Sequence, residues 1–274
     1  MTARTATLGR SVRLFRAFLV EQTDPDRFYS ALAADSVRQL GGYAALDGRV
    51  VLDVGGGPGY FADAFRAAGA HYVGVDPDTG ELSARGEPAA GMVRASGMAL
   101  PFPTGALDVC YSSNVLEHVP DPDRMLDEMV RVTRPGGRIV MGNWIPGDPT
   151  LVAQLLKISG SYSPPPPEGF ISPVTWGVEE NVIERFGGAG IGADKISFSR
   201  ETYTFEYPAP PTELLAVFRN YYGPTMNAFA AAEATDNTEQ LQKELADLFT
   251  SQNTSSVAET TAIPATFLQI TANV

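Results

Sequence analysis

The stretch that decides the fold of this 274-residue chain is VVLDVGGGPGYFADAF, residues Val50 to Phe65. Its first five residues are apolar except for Asp53, as in a buried strand of a parallel sheet. Glycines stand at positions 55, 56, 57 and 59, and a helical pattern follows. Pro58 suits a first helical turn, because it lacks an amide donor and has a fixed φ. The stretch therefore predicts a strand, a turn with few side chains, and a helix.

The same order of strand and helix recurs as far as Trp144. Strands are predicted in HYVGVD (71–76), GMVRAS (91–96), ALDVCYSSN (106–114) and GRIVMGNW (137–144), and helices in residues 24–40, 60–69 and 122–134. This alternation predicts an α/β fold, a parallel sheet with helices on both faces. After Trp144 the pattern changes to helical segments and two further strands, at 195–207 and 265–274.

The composition is typical of a soluble globular protein with an acidic balance. Hydrophobic residues make up 44% of the chain, and 20 Lys and Arg against 32 Asp and Glu give a formal net charge of -12. This charge repels phosphate backbones, so no nucleic-acid partner is expected. The single cysteine, Cys110, cannot form a disulfide within the chain. No apolar stretch reaches the ~18 residues of a membrane helix, and the N-terminus lacks the apolar core of a signal peptide. We expect one cytoplasmic domain over residues 1–274, with no membrane span.

The glycine loop also indicates its ligand. In a parallel sheet the ligand crevice lies beyond the carboxyl end of the first strand, and the amides there favour a carboxylate or phosphate. Dinucleotide sites use G-x-G-x-x-G, but the third glycine position, counted from Gly55 and Gly57, is Tyr60. The spacing present is G-x-G-x-G. Asp53 before it repels a pyrophosphate but can accept hydrogen bonds from the α-amino group of S-adenosylmethionine, which also carries a carboxylate.

Asp76 ends the second predicted strand, 19 residues after Gly57. A carboxylate at this place can accept both ribose hydroxyls of an adenosine. NAD would need the same acid, and a turn aspartate before Pro77 is the structural alternative. The glycine spacing, not Asp76, therefore discriminates between the two cofactors.

Three segments together resemble class I S-adenosylmethionine-dependent methyltransferases of the small-molecule type, specifically type 11 members from actinobacteria. They are VVLDVGGGPGYFADAF, YVGVDPD (72–78) and the run from ASGMALPF (95–102) to TRPGGRIVM (133–141). The resemblance implies a Rossmann-like, doubly wound, seven-stranded sheet, mostly parallel with an antiparallel C-terminal strand and helical lid insertions. It also implies an N-terminal helical cap (1–48), a cofactor-binding core (49–144) and an acceptor-side region of lid helices and closing strands (145–274).

The resemblance further implies roles for single residues at the cofactor site. The loop would hold the methionine part, Asp76 the ribose and ASGMALPF the adenine, with Ser96 in place of the usual aspartate. Asn114 stands where the fourth strand of the family faces the methyl group. The cofactor-binding residues expected on this basis are Asp53, Gly55, Gly56, Gly57, Gly59, Asp76, Pro77, Ser96, Gly97, Met98 and Asn114.

Two predictions concern the methyl acceptor. His118 follows the fourth strand on the ligand side and can act as general base, although a histidine that caps the turn LEHVPD or touches the cofactor is the alternative. Aromatic residues of the tail and the N-terminal helix can line an acceptor pocket, although each taken singly can equally belong to the core. These substrate-binding candidates are Phe28, Tyr29, Trp144, Tyr162, Trp176 and Tyr221, together with Phe170 and Tyr222.

The sequence as a whole predicts an S-adenosylmethionine-dependent methyltransferase acting on a small molecule at oxygen, carbon or nitrogen by in-line displacement. No His/Cys cluster or carboxylate pair has the spacing of metal ligands, so no metal is expected. Two alternatives stay open: a protein that binds the cofactor without turnover, and a NAD-dependent oxidoreductase.

Overall fold

The structure, a computed structural model, describes residues 14, 17, 24–113, 115–116, 118–166, 171–257 and 259–274. Its strands are β1 Val50–Val54, β2 His71–Asp76, β3 Met92–Arg94, β4 Val109–Tyr111, β5 Arg138–Trp144, β6 Ile196–Tyr207 and β7 Thr261–Asn273. Its helices are α1 Pro25–Leu40, α2 Ala62–Ala67, α3 Thr79–Leu82, α4 Pro122–Val132, α5 Leu151–Tyr162, α6 Glu179–Gly188, α7 Pro211–Tyr221, α8 Gly223–Glu233 and α9 Thr238–Ser251. Two short 3-10 turns lie at Pro173–Gly177 and Ala193–Lys195.

The first four strands form a parallel sheet in the order β3-β2-β1-β4. Val51 of the central strand pairs with Tyr72 on one side and with Val109 on the other. Alternate residues of β1 point to opposite faces of the sheet. Val51 packs in a cluster with α1 and α2, and Leu52 packs in a cluster with α4. Helices therefore cover both faces, as predicted, and this explains the continuous apolar run of β1.

The last three strands form a second sheet in the order β5-β7-β6. The Ser197 hydroxyl donates to the Thr271 carbonyl (3.4 Å), and the Asn273 amide side chain donates to the Lys195 carbonyl (3.2 Å). Residue numbers rise along one strand as they fall along the other, so β6 and β7 are antiparallel. The predicted seven strands and the antiparallel C-terminal strand are thus confirmed. Among the described residues, however, the seven strands form two hydrogen-bonded sheets and not the single predicted one. The first sheet ends at β4, a strand of only three residues.

The helices α1 and α4 each begin after an aspartate that caps the first turn. Asp24 and Asp121 accept hydrogen bonds from the amides of Arg27 (3.1 Å) and Arg124 (2.9 Å), and a proline follows each cap. Such side chains satisfy amides that a first helical turn leaves free. The starts of α1 and α4 are therefore determined locally.

The described chain divides into two compact units. Residues 24–141, 179–198 and 270–274 form the first, called here the loop unit because it contains the glycine loop. Residues 142–178 and 199–269 form the second, the helical unit, whose core is built mainly from α5, α7, α8 and α9 around Leu155, Leu215 and Phe249. None of the helices in the described part of the chain combines the length and the apolar character that crossing a bilayer requires.

Candidate functional site

The glycine loop joins β1 to α2 through backbone conformations that favour glycine. Gly55, Gly57 and Gly59 have φ values of +77°, +54° and +88°, a region that other residues rarely adopt. The amide of Gly55 donates to the Val75 carbonyl at the end of β2 (2.8 Å). A Cβ added to Gly57 would meet nothing within 4 Å. The loop is therefore fixed to the sheet and open at its middle residue.

Asp53 lies directly beneath this loop. Its side chain is buried, and Oδ2 accepts a hydrogen bond from the Tyr72 hydroxyl at 2.9 Å. A Cβ added to Gly56 would lie 2.9 Å from the same oxygen. Burial raises the pKa of Asp53 to about 7; the Tyr72 hydrogen bond lowers it and the charge of Asp76 raises it further. The carboxyl group is thus close to the balance between its neutral and charged forms at neutral pH.

Gly74 makes the contact between Tyr72 and Asp53 possible. Asp53 pairs with Gly74 and Val51 pairs with Tyr72, so all four residues point to the same face of the sheet. A Cβ added to Gly74 would lie 2.7 Å from the Tyr72 hydroxyl oxygen and would collide with the Met92 sulfur. Tyr72 is a site residue that was not predicted, and its only signal in the sequence is its spacing of two from Gly74.

Asp76 fixes the loop from the end of β2. Its Oδ2 accepts a hydrogen bond from the amide of Gly57 (3.0 Å), and its Oδ1 accepts one from the amide of Asp78 (2.9 Å). Each carboxylate oxygen keeps a second lone pair that a ligand hydroxyl can use. The acid predicted for the ribose therefore also orders the glycine loop.

The turn Ser96–Met98 lies against the end of β1. The Ser96 hydroxyl oxygen accepts a hydrogen bond from the amide of Met98 (3.2 Å), so one of its lone pairs is used within the turn. A Cβ added to Gly97 would lie 2.9 Å from a methyl carbon of Val54. Glycine at position 97 therefore lets the turn approach the strand that leads into the glycine loop.

Two residues of α4 that were not predicted hold the segment after this turn. Glu128 is buried and accepts a hydrogen bond from the amide of Leu100 (2.7 Å). Arg131 donates to both carboxylate oxygens of Glu128 (2.7 and 2.8 Å) and to the carbonyls of Leu100 (3.0 Å) and Phe102 (2.8 Å). The hydrogen bond from Arg131 holds the pKa of Glu128 below its ordinary value. Their signal in the sequence is the i, i+3 spacing of opposite charges on one helix.

Two of the substrate-binding candidates, Phe28 and Tyr29, lie beside the glycine loop. The Tyr29 ring stacks on Tyr60 with ring centroids 4.7 Å apart, and Phe28 contacts Tyr29 at 4.9 Å. Arg85 lies over the Tyr60 ring at 5.0 Å and forms an ion pair with Asp26 at 3.0 Å. The start of α1 is therefore held against the residue that follows the loop.

The other aromatic candidates that the structure describes lie in the helical unit and occupy different surroundings. Trp144 is half-buried and packs edge-on against Phe267 with ring centroids 6.1 Å apart. Trp176 is only 2% exposed, so its ring belongs to the interior. The Tyr162 hydroxyl donates to Glu244 (3.1 Å), and Tyr221, at the end of α7, is half-buried. Of these, Trp144 lines a cavity.

His118 lies in the turn after β4 with an exposed side chain, and its amide donates to the Val115 carbonyl (2.8 Å). Asn114 and Phe170, which were predicted for the cofactor and the acceptor, lie outside the described residues. Across the residues that the structure describes, no group of three or more His, Cys, Asp or Glu could hold a metal ion.

Comparisons with known proteins bear on this geometry. Residues 52–141, which include β1, the glycine loop, Asp76 and α4, match a family model described as a methyltransferase domain. Residues 52–141 are therefore similar to a methyltransferase domain. The chain is 56% identical over 151 residues to an uncharacterized methyltransferase of Mycolicibacterium gilvum, and 54% identical over 149 residues to one of Mycobacterium marinum. These matches cover 52% and 51% of this chain and 59% and 58% of the relatives, so the chain matches less than two thirds of either one.

Solved structures share the fold of this chain. A candidate methyltransferase from Bacillus halodurans superposes with a TM-score of 0.51 at 16% identity, covering 87% of this chain and 98% of the other. The YcgJ protein of Bacillus subtilis gives a TM-score of 0.52 at 15% identity, covering 87% and 97%. At such identities the likeness concerns the fold alone, and it agrees with the α/β arrangement of strands and helices.

Proposed function

We propose that this protein binds S-adenosylmethionine over the glycine loop and transfers its methyl group to a small-molecule acceptor. The observation that carries the proposal is the buried carboxyl group of Asp53 beneath a loop that is open at Gly57. An acid in this place favours a ligand with an ammonium group, because the charged pair gains charge-assisted hydrogen bonds. The same acid repels the pyrophosphate of a dinucleotide.

The residues around the loop fit the parts of this cofactor. Asp53 would accept from the α-ammonium group, the remaining lone pairs of Asp76 would accept from the ribose hydroxyls, and the turn Ser96–Met98 would meet the adenine edge. When bound, S-adenosylmethionine supplies a methyl group on a sulfonium, whose carbon–sulfur bond breaks as the sulfur keeps the electron pair. The task of the protein is to align the acceptor and to exclude water. For an oxygen or carbon acceptor, His118 is the proposed base that takes the proton.

The cofactor assignment is tested by calorimetry with S-adenosylmethionine and, separately, with NAD. We expect binding of the first and not of the second. Asp76→Ala should weaken S-adenosylmethionine binding at least about 100-fold, since hydrogen bonds to a charged group are lost. Asp121→Ala removes a helix cap of α4 and is the control for general destabilisation. Unchanged affinity in Asp76→Ala, or tighter binding of NAD, would contradict the assignment.

Turnover is tested on the same protein by measuring S-adenosylhomocysteine formed with a panel of small acceptors. Cofactor binding without product would favour a binding protein over an enzyme. With an acceptor that reacts, His118→Gln should lower kcat at least about 100-fold, because the base is lost. An unchanged kcat in His118→Gln would remove His118 from the mechanism.

A further inference from the structure

A cavity of about 490 Å³ lies within the helical unit. Its walls include one face of α5, Trp144 with the loop that follows it, and the start of α8. This volume lies in the range that small organic ligands occupy. The cavity is therefore large enough for a molecule with one or two rings.

The charges around this cavity are unusual for so acidic a chain. The full sequence has a net charge of -12, yet among the described residues that line the cavity none is Asp or Glu, and Lys157 is the one cation. The side chain of Lys157 is exposed and forms no ion pair with any residue that the structure describes. A lysine beside a cavity whose described lining has no acidic residue favours a ligand that carries one negative charge.

Ser159 adds a buried polar group to the same wall. It is only 2% exposed, and its hydroxyl oxygen has no hydrogen-bond partner within the described part of the chain. Buried hydroxyl groups normally have partners, because leaving one unpaired is unfavourable. Ser159 and Ser163 are spaced i, i+4 and so lie on one helix face, which also carries Gly160. A Cβ added to Gly160 would meet nothing within 4 Å, so this face leaves room for a ligand.

We infer that the cavity binds an apolar, aromatic molecule that carries one carboxylate. Lys157 would pair with the carboxylate and the Ser159 hydroxyl would donate to it, which gives the hydroxyl its missing partner. Trp144, Ala153 and Leu156 would contact the apolar body. One ammonium group with hydroxyl donors matches a monoanion better than a phosphate dianion.

The charge requirement is tested by calorimetry on the full chain with 2-naphthoate and its neutral analogue 2-naphthamide. We expect 2-naphthoate to bind and 2-naphthamide to bind at least about tenfold more weakly. Lys157→Gln should remove this difference, whereas Lys195→Gln, which changes an exposed lysine of the loop unit, should keep it. Equal binding of both probes, or no binding of 2-naphthoate at about 1 mM, would overturn the inference.

Two further variants separate a ligand site from a packing role. Ser159→Ala should weaken 2-naphthoate binding about tenfold and leave Tm unchanged or higher, because the unpaired buried hydroxyl is removed. Gly160→Leu should fill the cavity and abolish binding, and Gly187→Leu, another helical glycine with nothing within 4 Å of its Cβ position, is the control. Full binding in Ser159→Ala or Gly160→Leu would overturn the site. Calorimetry with S-adenosylmethionine on the same samples separates the two proposals. Binding of S-adenosylmethionine without binding of 2-naphthoate contradicts this inference alone, whereas no binding of S-adenosylmethionine contradicts the proposed function.

Discussion

Asp53 makes the stability of the folded chain depend on pH. Burial raises its pKa to about 7 from the ordinary 3.8. Between these pH values the folded state keeps a proton that the unfolded state has lost, so the free energy of unfolding falls as pH rises from about 4 to about 7 and is level above. This shift in pKa lowers the free energy of unfolding above about pH 7 by an amount on the order of 4 kcal/mol relative to its value below about pH 4.

Asp53→Asn isolates this contribution, because asparagine does not titrate and still offers an oxygen to the Tyr72 hydroxyl. In denaturant titrations, we expect the unfolding free energy of the variant relative to the wild type to rise between about pH 4 and about pH 7 and to be level above. Tyr72→Phe removes a hydrogen bond that lowers the pKa, so the dependence should move to higher pH. A difference between Asp53→Asn and the wild type that stays constant with pH would contradict the raised pKa.

Gly177 is a position of close backbone approach in the helical unit. A Cβ added there would collide with the backbone carbonyl oxygen of Trp144, which cannot turn away as a side chain could. We expect Gly177→Ala to lower the free energy of unfolding by about 2 kcal/mol. Gly187→Ala, on α6 with nothing within 4 Å of the new Cβ, should instead raise it by about 0.5 kcal/mol or more. Equal effects of the two substitutions in denaturant titrations would refute the steric argument.

Helix α4 holds the segment that follows the turn Ser96–Met98 through hydrogen bonds to Leu100 and Phe102. Arg131→Met should lower the free energy of unfolding by about 3 kcal/mol, because the buried carboxylate of Glu128 loses both hydrogen bonds from the guanidinium group and the carbonyls of Leu100 and Phe102 lose their donor. It should also weaken S-adenosylmethionine binding, which calorimetry measures. For the free energy of unfolding, Arg124→Met is the control, since Arg124 is exposed and lies 3.6 Å from Glu128, and its loss should cost no more than about 1 kcal/mol. Arg124 also donates to the Met98 carbonyl (3.3 Å), so this control does not extend to S-adenosylmethionine binding. Similar losses in both variants would contradict the role of Arg131.

The stability that Glu128 contributes has the opposite pH dependence to that of Asp53. Its pKa lies below the ordinary 4.5 in the folded state, chiefly because of the hydrogen bond from Arg131. The contribution is therefore complete above pH 4.5 and is lost as pH falls through the lowered pKa. Glu128→Gln should flatten the acid limb of the unfolding free energy against pH, and an unchanged acid limb would show that another carboxylate dominates it.

Elements with a strong local pattern could be predicted from the sequence. The buried run of β1, the caps Asp24 and Asp121, and the break between α7 and α8 at Tyr222 all arise from residues close together in the chain. Contacts across elements could not be predicted in the same way. The hydroxyl of Tyr72 reaches Asp53 only because of the pairing register of β1 and β2, and that register depends on the whole sheet.

The residues of the candidate site also differ in whether the sequence alone could predict them. Asp53, Gly57 and Asp76 could be predicted because their spacing reflects one strand, one turn and the next strand. The Arg131–Glu128 pair depends on how helices pack, for which the sequence carries only weak periodic signals. The same holds for the unpaired hydroxyl of Ser159 in the separate cavity of the helical unit. Hydrogen bonds between distant segments therefore add site residues that motif spacing alone does not reveal.

The net charge of the molecule bears on which acceptors it can use. With 32 acidic and 20 basic residues the chain carries -12, so a duplex is repelled at any distance within the Debye length. Protein binding to nucleic acid normally strengthens as salt falls, because bound lysines and arginines release counterions. We expect no retardation of a short DNA duplex or RNA strand by the protein in gel-shift assays, even at about 50 mM salt. Retardation that weakens steeply as salt is raised would reveal a basic surface that the total charge conceals, and would reopen nucleic acid as the acceptor.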